Sequence, residues 1–232
     1  MSARASGGAV VAARIAPLVL FDLDGTLVDS AVDLWSAMNV ILEREGRPAM
    51  PLSALRPAVS KGGRAMLAAA FPDLVADVRE RHLQPFLDVY AAAVATHSTP
   101  FDGIADVLHA IEASGARWGV VSNKPHWLAV PVVESMGWTG RSAALYGGDS
   151  LLRKKPDPDQ LLAAATDNGV APGDCVYVGD DERDIEAARR AGMKSVAALW
   201  GYRLDGDDPT AWGADLYCEA PRDLLAPGAL AR

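Results

Sequence analysis

Cysteine is scarce in this chain, with only Cys175 and Cys218 among 232 residues. Two thiols make no disulfide framework, so a reducing cytoplasm is expected. Basic residues are in deficit as well: 22 Lys and Arg stand against 30 Asp and Glu, a formal net charge of −8. That argues against nucleic acid as the main partner, because phosphate backbones require basic surface. No apolar run reaches the length of a membrane span, so no membrane partner is expected. The four histidines, His82, His97, His109 and His126, form no metal-spaced cluster. Aromatic residues make up 6 % of the chain and no basic stripe accompanies them, so they read as packing residues.

What is present is a chain long enough for one sizeable core, or a core plus a smaller insert. Residues 1–14, "MSARASGGAVVAAR", contain no acid and have the composition of a targeting segment. Arg14 and Pro17 interrupt their apolar run, so a loosely ordered extension over residues 1–16 is the expectation.

Two kinds of segment then alternate. "PLVLFD" (17–22), "ARWGVVSN" (116–123), "CVYVGD" (175–180) and "SVAALW" (195–200) are short, apolar and rich in β-branched residues, with "SAALYGGD" (142–149) a weaker case. Continuous apolar runs of this length predict central parallel strands buried on both faces. "IADVLHAIEASG" (104–115), "PDQLLAAATDNG" (158–169) and "DERDIEAARRAG" (181–192) have helical apolar spacing and end in Gly. The alternation predicts an α/β fold, a Rossmann-like parallel sheet with right-handed crossovers.

Between Ser30 and Thr99 the alternation stops. Residues 31–46, 62–71 and 73–97 are helical in pattern, with Pro85 expected to kink or break the last. The domain reading is therefore a Rossmann-like core over 17–30 and 100–232, with a helical cap over 31–99. A cap inserted after the first strand is a candidate lid over the strand ends.

In such a sheet ligands bind outside the carboxyl ends of the strands. The residues at and just past those ends are Asp22, Asp24, Gly25 and Thr26, then Ser122, Asn123 and Lys124, then Asp149, then Asp180, Asp181 and Asp184, with Lys155 in "RKKPDP". Several carboxylates at one edge repel unless a cation neutralises them, and an all-oxygen set suits Mg²⁺. A lysine, a hydroxyl and backbone N–H groups suit a phosphoryl group. The inventory points to phosphoryl transfer.

"FDLDGTLVDS" resembles the first motif of the haloacid-dehalogenase-like hydrolases, "VVSN" their second, "KKPDP" their third and "VGDDERD" their fourth. The four occur in family order over roughly Leu18 to Trp212, and the helical insert matches the family's cap. The resemblance implies that Asp22 is the nucleophile that takes the phosphoryl group. It implies that Asp24 protonates the leaving oxygen and then activates water. It further implies Mg²⁺ ligation by Asp22, the Asp24 carbonyl and Asp180, with Asp181 or Asp184 holding metal-bound water. Ser122 and the Asn123 N–H would grip phosphate, and Lys155 would neutralise its charge. Thr26 would steady the loop beside the substrate. Dehalogenating members lack the second aspartate, so Asp24 favours a phosphatase or phosphomutase.

Within the family the chain resembles the bacterial phosphoglycolate phosphatase group and, beside it, relatives acting on N-acetylmuramic acid 6-phosphate. The cap stretch "SKGGRAML" (60–67) looks like both. Lys61 and Arg64 there are expected to bind the substrate's own carboxylate or sugar. The expected partner is thus a small anionic phosphomonoester, handled by a monomer or homodimer. A β-phosphoglucomutase-like mutase and a non-catalytic binding protein remain the alternatives. An EF-hand reading of the first motif fails, because loop positions one and twelve would be Leu20 and Ala31.

Overall fold

The computed structural model describes residues 14–232. Of the expected N-terminal extension, residues 1–13 lie outside that range. Ala16 is already buried and donates its N–H to the Leu230 carbonyl at 2.7 Å.

The elements run in chain order as β1 (Leu18–Phe21), β2 (Val28–Asp29), α1 (Ala31–Arg44), α2 (Leu52–Leu55), α3 (Gly63–Ala70), α4 (Ala76–Glu80), α5 (Leu83–Ala92), β3 (Thr99–Pro100), α6 (Ile104–Ala113), β4 (Arg117–Val121), α7 (His126–Ser135), β5 (Leu145–Tyr146), α8 (Asp159–Asp167), β6 (Cys175–Gly179), α9 (Glu182–Ala191), β7 (Lys194–Ala198) and β8 (Leu216–Cys218). Six strands form one parallel sheet in the order β5-β4-β1-β6-β7-β8. This is an α/β fold with a Rossmann-like core and a helical cap inserted after the first strand.

Strand β1 lies between β4 and β6 and is wholly buried. Its alternation sends Val19 and Phe21 to one face, against Val107, Leu108 and Ile111 of α6 and Val132 of α7. Leu18 and Leu20 go to the other, against Leu161 and Ala164 of α8 and Ala187 and Ala188 of α9. That two-sided burial is why the strand reads as a continuous apolar run. The edge strand β8 has no such run and gives no comparable signal in the sequence.

The cap has its own core. Leu34, Met38 and Ile41 on one stripe of α1 meet Leu67 of α3 and Phe86 and Tyr90 of α5. The break expected at Pro85 falls earlier, between Glu80 and Leu83. Pro85 is the third residue of α5, in the first turn, where a missing N–H leaves no intrahelical bond unmade.

The chain leaves and re-enters the core through an antiparallel pair, with Val28 opposite Pro100 and Asp29 opposite Thr99. Strands of two residues carry no readable periodicity, so this pair has no signature in the sequence. The buried Asp33 carboxylate of α1 accepts from the Ser98 N–H at 2.8 Å, the Ser98 Oγ at 2.6 Å and the His97 N–H at 2.9 Å. It ties the return linker to the first cap helix. Among the described residues, no helix is long and apolar enough to cross a membrane.

Candidate active site

Parallel strands β1, β4 and β6 end on the same side, and their carboxyl ends deliver the polar residues to one place. Past β1 the chain turns through Gly25, at φ +90°. A Cβ there would lie 2.1 Å from Asp180 Oδ2. Glycine is required twice over, by the left-handed backbone and by the approach of the carboxylate. Gly25→Ala is expected to cost about 2–4 kcal/mol of stability, strain and overlap combined. Urea unfolding measures it, and a loss below ~0.5 kcal/mol would contradict the geometry.

Asp22, Asp180 and Asp184 converge, each offering one carboxylate oxygen within 4.8 Å of the others. All three are buried. Burial first, and the charges of Asp22 and Asp184 next, raise the Asp180 carboxyl well above its ordinary value. Burial also pushes Asp184 up to about 6, with Asp22 adding to the rise and Lys155 opposing it. Three buried carboxylates with oxygen donors only, two of them held reluctant to ionise, form a site that a hard divalent cation such as Mg²⁺ fits and would relieve.

Lys155 is buried at 3 % exposure and is held from four sides. It ion-pairs with Asp184 Oδ1 at 2.7 Å and Asp22 Oδ1 at 3.1 Å, and donates to the Tyr177 hydroxyl at 2.7 Å and the Val121 carbonyl at 3.0 Å. Burial works against its charge, but Asp184 and Asp22 raise its pKa above the ordinary lysine value. Ser122 and Asn123 follow β4 and line the same cavity as Asp22 and Asp24. Asn123 is anchored by its side-chain N–H to the Lys155 carbonyl at 2.9 Å.

Asp24 stands apart from the three converging carboxylates. Its side chain accepts from Ser30 Oγ at 2.5 Å and pairs with Lys124 Nζ at 3.0 and 3.2 Å. The cavity it lines has a volume of about 300 Å³ and lies between core and cap. Its cap wall includes Val59, Met66, Leu83, Phe86 and Leu87, and its floor is polar.

Four expected residues, Thr26, Asp181, Arg64 and Lys61, sit differently. Thr26 is fully buried and donates from Oγ1 to Asp180 Oδ1 at 3.0 Å, so it braces the acidic cluster and does not line the cavity. The sequence assigns metal-bound water to Asp181 or Asp184; the structure brings Asp184 itself into the acidic cluster and leaves Asp181 outside it. Asp181 is the N-cap of α9, accepting from the Arg183 N–H, with Asp184 completing a capping box. The other Asp184 oxygen pairs with Lys155 at 2.7 Å, whereas Asp181 pairs with Arg183 at 2.7 Å and Lys61 at 3.1 Å. Arg64 lines the cavity rim, but its guanidinium is paired with Glu80 and its side chain is 69 % exposed. Lys61 also lines the cavity, while its ammonium is paired with Asp181 at 3.1 Å and Asp207 at 3.0 Å. Asp149 accepts from the His126 N–H at 2.6 Å, at the start of α7.

Several residues that shape the site are not among those the sequence assigns a role. Ser60 of the cap donates to Asp180 Oδ2 at 2.6 Å, and its carbonyl accepts from Arg183 at 2.5 Å. The Tyr202 N–H donates to Asp180 Oδ2 at 2.9 Å, while its hydroxyl accepts from the Ser30 N–H and donates to Asp29 at 2.7 Å. Tyr90 and Tyr177 sit in apolar periodic runs, and only their hydroxyls reveal a polar role.

The family model of the haloacid dehalogenase-like hydrolases matches residues 19–198. A phosphoglycolate phosphatase of Xanthomonas campestris pv. campestris is 52 % identical over 216 residues, covering 93 % of this chain and 98 % of that protein. An N-acetylmuramic acid 6-phosphate phosphatase of Pseudomonas aeruginosa is 43 % identical, covering 89 % and 92 %. The crystal structure of a predicted phosphoglycolate phosphatase from Haemophilus somnus superposes with a TM-score of 0.80 at 26 % identity, covering 90 % and 96 %. With the acidic cluster at the strand ends and the helical cap after β1, these likenesses show that the chain belongs to the haloacid dehalogenase-like hydrolases, in their phosphoglycolate phosphatase-like group.

Proposed function

We propose that the chain is a Mg²⁺-dependent phosphomonoesterase that works through an aspartyl-phosphate on Asp22, with 2-phosphoglycolate as its substrate. The observation that carries the reading is the division of labour between Asp22 and Asp24. Asp22 lies among Lys155, Asp180 and Asp184, the surroundings a phosphoryl acceptor needs. Asp24 lies beyond it at the cavity, held by Ser30 and Lys124, where a leaving oxygen would lie.

In the first step an Asp22 oxygen forms a bond to phosphorus, and the bond from phosphorus to the ester oxygen breaks. Asp24 gives its proton to that oxygen and the alcohol leaves. In the second step Asp24 takes a proton from water, whose oxygen attacks phosphorus and releases Asp22 and inorganic phosphate. Ser122 and Asn123 hold the phosphoryl oxygens, and Lys155 balances their charge. Asp22, Asp180, Asp184 and the Asp24 carbonyl are the residues that would hold Mg²⁺. Bound there, Mg²⁺ supplies the positive charge that lets a phosphate dianion approach three carboxylates.

The choice of 2-phosphoglycolate leans on the name carried by the Xanthomonas relative at 52 % identity. A second reading, a sugar phosphate such as N-acetylmuramic acid 6-phosphate, is favoured by the cavity, about 300 Å³ with an apolar cap wall, and by the Pseudomonas relative. The compartment in this reading is the cytoplasm, consistent with two free, buried thiols. Phosphate release from a panel of phosphomonoesters, with Mg²⁺ and with chelator, tests the proposal. The expected result is metal-dependent release with the highest kcat/KM on 2-phosphoglycolate. Release from none of the panel sinks the enzyme reading, and a higher kcat/KM on the sugar phosphate moves the assignment to the second.

A further inference from the structure

Lys124 is a buried cation that the proposed chemistry uses only to hold Asp24, with no contact of its own to the substrate. It follows Ser122 and Asn123 at the end of β4, and its side chain is 5 % exposed. Its Nζ is 3.0 Å and 3.2 Å from the two Asp24 oxygens, 2.9 Å from the Tyr90 hydroxyl and 4.4 Å from the centre of the Tyr90 ring. It is a fixed ammonium in the cavity.

Of the other cations around the cavity, Lys154 is exposed to solvent and three are committed elsewhere. Lys61 is taken by Asp181 and Asp207, Arg64 by Glu80, and Arg183 by Asp181 and the Ser60 carbonyl. Tyr90 reaches Lys124 from the cap. Its hydroxyl accepts from Lys124, and among the described residues nothing accepts its own proton. Leu34, Phe86 and Leu87 line the same cavity, and beside apolar side chains charge contacts are less screened than in open water.

We propose that Lys124 and the Tyr90 hydroxyl form a specificity subsite for an anionic group on the leaving alcohol, two bonds from the ester oxygen. The inference rests on the phosphomonoesterase reading above and specifies its substrate class, an α-phosphorylated carboxylic acid. An ester oxygen hydrogen-bonded to Asp24 lies within one further hydrogen bond of Lys124 Nζ. A carboxyl carbon two bonds away is about 2.4 Å from that oxygen, so its oxygens reach the donors at ordinary distances of about 2.7–3.2 Å. An ammonium has three donors: one shared between the two Asp24 oxygens and one on the Tyr90 hydroxyl leave a third for the substrate's acid. Tyr90 belongs to α5 of the cap and Lys124 to the core, so the subsite exists only with the cap in this position.

The test compares kcat/KM for 2-phosphoglycolate with that for ethyl phosphate, which has the same two-carbon chain without the acid. It uses the full-length protein with Mg²⁺, as wild type, Tyr90→Phe and Lys124→Gln. Wild type is expected to prefer the acid by about 10³-fold or more. Lys124→Gln is expected to lower that ratio about 10²-fold and Tyr90→Phe about 10-fold. Tyr90→Phe keeps the ring and loses only the hydroxyl, so it decides the matter if Lys124→Gln does not fold. A ratio unchanged in the variants, even with both activities reduced, overturns the subsite and leaves the two residues as supports for Asp24. A wild type that hydrolyses both esters equally, or only sugar phosphates, overturns the subsite while the phosphomonoesterase reading stands. Phosphate release from no ester overturns both.

Discussion

Asp22→Asn is expected to lower phosphate release by about 10⁴-fold or more in kcat, while the protein stays folded. An amide is a poor nucleophile towards phosphorus and forms no stable acyl-phosphate link, so the covalent route is lost. Folding is spared because the substitution preserves shape. Asp22 accepts the Leu23 N–H at 2.7 Å, and an amide oxygen does the same. One charge also leaves a crowded cluster, since Asp22 is among the groups that raise the carboxyls of Asp180 and Asp184. Lys155 loses one ionic partner but keeps Asp184, Tyr177 and Val121. Thermal unfolding with and without chelator checks the stability, and single-turnover phosphate release checks the chemistry. Turnover near the wild-type rate in the asparagine variant would refute the covalent mechanism.

Mg²⁺ is expected to raise the unfolding temperature by about 5–10 °C near pH 7.5, and by much less near pH 5. The unfolded carboxyls titrate near their ordinary value of 3.8, whereas the folded Asp184 is pushed up to about 6 and Asp180 is raised well above 3.8. As pH rises past the unfolded value the unfolded chain loses these protons first, so the metal-free protein loses stability through that window. A cation replaces the protons, so its stabilising effect grows as the pH passes the folded values. At a hundredfold excess over Kd the linkage amounts to about 2.7 kcal/mol, which for a chain of this size is the quoted shift. Melting curves at the two pH values, with Mg²⁺ or chelator, measure it. Asp180→Asn should abolish the response and leave the metal-free protein at least as stable at the higher pH. An equal Mg²⁺ effect at both pH values would contradict the assignment of the cluster as the cation site.

Much of the core was readable because its signals are local. Residues 17–22, 116–123 and 175–180 are apolar without alternation, as only a strand buried on both faces can be, and they coincide with β1, β4 and β6. The helices α6, α8 and α9 show apolar spacing near three and four with a glycine stop. The cap was readable as helical for the same reason. Its division into α4 and α5 was misplaced because a proline in a first turn looks the same, in sequence, as a proline that breaks a helix. The pair β2–β3 and the edge strand β8 are two or three residues long, too short for a period.

The candidate site divides along the same line. The sequence alone determined which residues stand at the ends of the central strands: Asp22, Asp24, Ser122, Asn123 and Asp180. A strand end is a local feature, and parallel strands must bring their carboxyl ends to one edge. It also determined that the edge would be acidic enough to call for a cation. How those side chains divide among tasks is set by contacts between elements far apart in the chain. The tertiary structure turned Asp184 into the cluster and made Asp181 a helix cap, because Lys155 takes the one while Arg183 and Lys61 take the other. It buried Thr26 behind Asp180 and engaged Lys61 with two aspartates. It set Tyr90, thirty-four residues from Lys124 in the chain, at 2.9 Å from its ammonium. Contacts between cap and core depend on where two separately packed hydrophobic clusters come to rest against each other, and no local pattern in the chain encodes that distance.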